Sequence, residues 1–154
     1  MFAQRLIKAA VALAAAAFFV PAAAAQDQVL DPVTILPGLW GWDTEVREGA
    51  DYGTCENAPL RIWFSDRGER YNAQNVGSEA VFTAPVLAHL PATAELAGIL
   101  IRYDDEDRLD DAGNVVAWWL VMTGENSFIW IRNDWVGTGG STAPLVRCDD
   151  SLIG

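Results

Sequence analysis

Lysine is almost missing from this chain of 154 residues: Lys8 is the only one. Histidine occurs once, at His89, and cysteine twice, at Cys55 and Cys148. Each shortage excludes something. Ten basic residues against 21 acidic ones give a formal charge of −11, and such a surface repels nucleic acid and anionic membrane. One histidine with no motif around any serine leaves no base for a nucleophile, so His89, in a Pro-flanked stretch, reads as structural or exposed rather than catalytic. Zinc sites need several His or Cys ligands at close spacing, and no such set exists. Neither Gly-x-Gly-x-x-Gly nor a P-loop is present, so no nucleotide cofactor is indicated. Carboxylates able to pair as acid and base are confined to turns, where solvation is expected to keep their titration ordinary. No catalytic residue, metal or cofactor follows from the sequence. The expectation is a binding protein rather than an enzyme.

The N-terminus carries what a secretory leader requires: Arg5 and Lys8, the apolar run Ala9 to Val20, a Pro21 break and the small tract Ala22 to Ala25. The run is shorter than the roughly 20 residues needed to cross a bilayer. Residues 1–25 are thus expected to be a signal peptide, 26–37 an N-terminal arm and 38–154 one β-barrel domain, in the periplasm or secreted and not membrane-embedded. Loss of Arg5 and Lys8 with the leader takes the charge from −11 to −13. In an oxidising compartment an isolated cysteine pair becomes a disulfide. Cys55–Cys148 would close about 94 residues and restrict the unfolded chain by roughly 4 to 5 kcal/mol in the chain-entropy model.

Period-two alternation dominates from Gly38 onward. Trp40, Trp42, Thr44 and Val46 share one face of the first strand. Leu60, Ile62 and Phe64 share a face of the second, and Asp66-Arg67-Gly68 turns it into a third over Glu69 to Val76. A short strand over Glu79 to Ala84 precedes a loop or helical turn over Pro85 to Ala94. Gly98 to Asp104 follows, with Ile99, Ile101 and Tyr103 inward. Asp104 to Asn114 holds six acids in eleven residues and reads as a solvated hairpin tip. Its spacing departs from an EF-hand loop, because Arg108 and Leu109 interrupt it and no Glu ends it. Val115 to Met122 is apolar on both faces, Ser127 to Trp135 alternates, and Pro144 to Cys148 is a last strand. The fold class is all-β: a small antiparallel up-and-down barrel of about eight strands with one disulfide.

Gly38-x-Trp40 at the start and Arg147 in the last strand resemble the lipocalins and their calycin relatives, in which an arginine packs across the first-strand tryptophan at the barrel's closed end. The resemblance covers the barrel ends and the strand count. The chain is shorter than a standard lipocalin and lacks the C-terminal helix and the Thr-Asp-Tyr signature. It implies structural roles for Trp40 and Arg147. Inward aromatics Trp42, Phe64, Tyr71, Phe82, Tyr103, Trp119 and Trp130 then become candidates for lining a core or a small apolar cavity. Trp63, Leu100 and Trp118 or Trp119 cannot all point inward, so some large apolar surface is expected to face outward, where it could meet a partner or a second copy. A second resemblance is narrower. Ser65, Gly68, Arg70 and Tyr71 match the Ser-Gly-x-Gly-x-Arg-Tyr loop of periplasmic inhibitors of C-type lysozyme, with Asp66 in place of the first glycine. An acidic protein suits such a basic partner. The expected partners are therefore a small apolar ligand or a basic protein.

Overall fold

A computed structural model describes residues 30–90, 97–137 and 139–149. The leader expected over 1–25 and residues 91–94 of the expected loop lie outside them. Eight antiparallel strands close into a barrel in simple sequence order, β1 pairing with both β2 and β8. They are β1 (Gly38–Trp42), β2 (Leu60–Ser65), β3 (Arg70–Asn75), β4 (Phe82–His89), β5 (Ala97–Ile101), β6 (Trp118–Gly124), β7 (Ser127–Arg132) and β8 (Leu145–Arg147). Closure removes the unpaired edges that an open sheet of these apolar strands would expose.

The alternation expected from sequence is what fills the barrel. Trp40, Ile62, Tyr71, Ala73, Ala84, Ile99, Ile101, Leu120, Met122, Phe128, Trp130 and Leu145 form one buried cluster. Edge-to-face ring pairs run through it: Trp40 to Phe128 at 4.8 Å between centroids, Phe128 to Trp130 at 5.8 Å, Trp130 to Tyr71 at 6.0 Å and Tyr71 to Phe64 at 5.9 Å. Such pairs add about 0.5–1.5 kcal/mol each beyond the area they bury. The closed half is therefore solid, not hollow.

That closed end is built by residues 30–42. The segment expected as a lead-in arm folds into a four-residue helix, α1 (Pro32–Ile35), which Asp31 caps by accepting from the Val33 N–H, and Leu30 and Leu36 are buried in the barrel core. Trp40 is fully buried, and its indole N–H donates to the Leu36 carbonyl at 2.8 Å. The Arg147 guanidinium lies 4.4 Å over the Trp40 ring and donates to the carbonyls of Ile35 and Pro37. Gly38 has φ of +139°, and a Cβ there would stand 2.7 Å from Arg147 Nη1. Glycine is needed at the start of this motif because side-chain-bearing residues rarely adopt that φ, and the arginine head takes the space a Cβ would enter.

Cys55 and Cys148 are bonded, as expected. The bridge lies against β1, where a Cβ on Gly41 would come within 2.3 Å of the Cys55 backbone nitrogen. The β1–β2 loop is thus pinned back over the strand it leaves.

Most strand boundaries differ from the sequence expectation by one to three residues, β5 ending at Ile101 rather than Asp104 and β6 beginning at Trp118 rather than Val115, and three differences change how the chain runs. β1 stops at Trp42, because the Asp43 carboxylate accepts from the Glu45 N–H and the Arg47 N–H donates to the Asp43 carbonyl, turning the chain and leaving Val46 exposed. Pro85 does not end a strand: β4 runs through it to His89. The Val86 N–H donates to the Glu69 carbonyl, so Pro85, one residue earlier, faces away from β3 and interrupts no bond to it. A register shift between Val86 and Ala88 follows. The third is β7, which ends at Arg132 and gives way to a single 3-10 turn over Asn133–Trp135.

Candidate functional site

The strand ends opposite α1 leave a cleft of about 420 Å³ lined by Leu60, Ala73, Phe82, Tyr103, Trp130 and residues 105–108 of the β5–β6 loop. A smaller lobe of about 230 Å³ is lined by Trp42, Trp118 and Thr142, and shares Tyr103, Arg108 and Trp130 with the larger. Its floor is the top of the packed core. Trp130 is only 8% exposed yet reaches both lobes, whereas Phe82 is 39% exposed at the edge. Phe82 and Tyr103 meet edge to face at 6.2 Å, and Tyr103 lies 6.4 Å from Trp130.

Of the seven aromatics expected to line a core or cavity, the structure brings four together on this cleft: Trp42, Phe82, Tyr103 and Trp130. Phe64 and Tyr71 belong to the packed core and line neither lobe. Trp119 is on the other face of its strand. Trp118, Leu120 and Met122 point inward, and Trp119 stands in register with Leu100 and Ile131 on the outside. A shift of one residue in phase moves a whole strand's side chains to the opposite face. The polar residue Thr123 marks the odd-numbered face as the outer one, which is the signal that distinguishes Trp118 from Trp119.

The Tyr71 ring is fully buried, and among the described residues its hydroxyl makes no hydrogen bond of ordinary geometry, its polar neighbour being the Tyr103 phenol. Burial above all, and the Tyr103 phenol next to it, push its ionisation well above the ordinary tyrosine value. Tyr103 is raised in the same way, chiefly by burial.

The β5–β6 loop is where the sequence reading needs most correction. Its tip is a small turn, as expected: Leu109 bridges Val115, and the Asp110 carboxylate accepts from the N–H groups of Ala112 and Asn114. Its first half is not simply solvated. Asp104 pairs with Arg70 and accepts from the Thr83 hydroxyl. The Glu106 side chain is 2% exposed. One Glu106 oxygen accepts from Arg108 Nε at 2.6 Å, and the other from Arg108 Nη2 at 2.6 Å and the Trp118 indole N–H at 3.2 Å. The Arg108 hydrogen bonds outweigh burial and hold the Glu106 carboxyl down at about 2. Glu106 is consequently a fixed anion at neutral pH and not a general acid. Asp110 is lowered too, by its backbone hydrogen bonds from Asn114. The guanidinium of Arg108 lies 5.4 Å over the Trp118 ring. Among the described residues no three His, Cys, Asp or Glu side chains converge as a metal site would require. His89 is exposed at the far end of β4 from Phe82.

The inhibitor-like segment has a different geometry from a presented loop. Asp66 and Arg67 turn the chain at φ of +51° and +59°, and Gly68 packs against α1, a Cβ there falling 2.7 Å from Val33. Ser65 accepts from the Asn72 amide, Arg70 is tied to Asp104, and Tyr71 is inside the barrel. Ser65 and Arg70 stand opposite each other in the β2–β3 register, but Tyr71 points into the barrel, so the four residues do not share one surface.

Together the geometry defines an eight-stranded antiparallel barrel with a solid closed end and an aromatic cleft at its open end, an architecture compatible with the lipocalin-like one. Comparison with known proteins finds no matching family model, no matching curated protein and no matching solved structure.

Proposed function

We propose that this is an exported, lipocalin-like binding module whose cleft holds a small molecule with an apolar, ring-compatible body. The observation that carries this is a pair of adjoining concave lobes at the open end that share Tyr103 and Trp130, with Phe82 on one and Trp42 and Trp118 on the other, and with the charged residues 105–108 along one side. Concave, mostly apolar surfaces with sparse polar groups are the usual form of a small-ligand site. Export is supported by the leader-like N-terminus and by a disulfide, which persists in oxidising compartments.

Titration with N-phenyl-1-naphthylamine, a neutral aromatic fluorophore, tests the site. A saturable response is expected, weakened about tenfold by Phe82→Ala, which removes a rim ring without opening the core. The absence of saturation with this and other apolar probes refutes the reading.

A further inference from the structure

We infer that the cleft's ligand is an organic cation, whose charged group competes with Arg108 for the place beside Glu106 and Trp118. This rests on the reading of the cleft as a binding site and assigns its ligand a charge.

The pairing of Glu106 with Arg108 is asymmetric. The carboxylate side chain is 2% exposed, while the arginine side chain bonded to it is 57% exposed. Both residues lie on the β5–β6 loop, but the carboxylate is turned against Trp118 while the guanidinium lies over it toward solvent. The wall is formed for a cation. The Trp118 indole N–H donates to the same carboxylate, and the Trp118 ring lies under the guanidinium. A carboxylate beside aromatic faces is the arrangement that holds ammonium and guanidinium groups, through charge and the ring quadrupole together.

The surrounding charges agree. Asp105 and Asp107 stand on the same rim, and among the described residues lining the larger lobe Arg108 is the single cation. Two neighbouring cations are already engaged with carboxylates, Arg70 with Asp104 and Arg132 with Asp134, and a third, Arg47, lies over the Trp42 ring of the smaller lobe. An anionic ligand would meet Asp105 and Asp107 and would have to compete with Glu106 for Arg108. A cationic ligand meets attraction from all three acids. Arg108 also lines both lobes, so its departure would join them into one site, with the ligand's apolar body resting on Tyr103 and Trp130.

An internal competitor sets a distinctive pattern. Because Arg108 is tethered two residues from Glu106, its effective concentration is high and it weakens the binding of any external cation. The test compares benzyltrimethylammonium with neopentylbenzene, its neutral isostere, and with benzenesulfonate, by tryptophan fluorescence on the full mature chain. The cation is expected to bind at least about tenfold more tightly than the isostere, with benzenesulfonate weakest. Arg108→Ala is expected to tighten the cation about tenfold more than it changes the isostere, which also meets the space the arginine leaves. Glu106→Gln is expected to weaken the cation about tenfold, retained isostere binding showing that the cleft is intact. Equal affinity for cation and isostere, or equal tightening of both by Arg108→Ala, overturns the inference but leaves the cleft as a binding site. Failure of all three probes on both wild type and Arg108→Ala removes the cleft reading as well.

Discussion

Gly38 offers the sharpest test of how the barrel is closed. Replacing it with alanine imposes two separable costs. The first is local: φ of +139° is a conformation that side-chain-bearing residues rarely adopt, and holding one there costs about 1–3 kcal/mol. The second is tertiary. The new Cβ would lie 2.7 Å from Arg147 Nη1, and the guanidinium, held by the Ile35 and Pro37 carbonyls and the Trp40 face, must give way. The stacking lost is about 0.5–2 kcal/mol, although a long side chain recovers part of it by moving its far end. The expected total is about 2–4 kcal/mol. Urea unfolding followed by tryptophan fluorescence should show a lower midpoint at unchanged slope. A double-mutant cycle separates the two costs: in an Arg147→Ala background Gly38→Ala should cost about 1 kcal/mol less than in wild type, because the clash has gone. A loss below about 0.5 kcal/mol in wild type, or strict additivity in the cycle, would refute the assignment of Gly38 as the glycine that the arginine requires.

Two further outcomes follow from buried polar groups. Glu106 ionises at about 2 in the folded protein, against 4.5 for an unperturbed Glu. A depressed carboxyl contributes stability above the unfolded value that is lost as pH falls through the folded one, so wild type should lose about 1–3 kcal/mol more than Glu106→Gln between pH 5 and pH 2. Parallel urea midpoints for the two proteins across that window would contradict it. Tyr71→Phe removes a buried hydroxyl that makes no hydrogen bond of ordinary geometry among the described residues and keeps the ring contacts with Phe64, Tyr103 and Trp130. Stability is expected to stay level or rise by about 1 kcal/mol, and a thermal-melt loss of several degrees would show that the hydroxyl is satisfied in solution.

The barrel was legible because closure of a small sheet demands strict alternation, and alternation survives in sequence as Leu60, Ile62, Phe64 or Ile99, Ile101, Tyr103. The closed end was legible for a related reason: Gly38, Trp40 and Arg147 are constrained by one another, and each constraint leaves a distinctive residue type. The open end was only half legible. Trp42, Phe82, Tyr103 and Trp130 could be read by phase, but the Trp118-Trp119 pair could not be split by counting within an apolar run, since only Thr123 downstream fixes which face is outer. Pro85 was misleading because a missing N–H matters only on the side where a ladder bond is made. Glu106 and Arg108 left no periodic trace at all. They lie past the last ladder pair of β5, at Ile101, and before the first of β6, at Trp118, where the backbone follows side-chain bonds instead of a repeat. An acidic stretch reads as solvated unless one of its members is turned inward, and what turns Glu106 inward is a guanidinium two residues later together with an indole N–H twelve residues later. The polar part of the candidate site therefore sits where strand regularity ends. There local rules give way to interactions that only the closed barrel brings within reach.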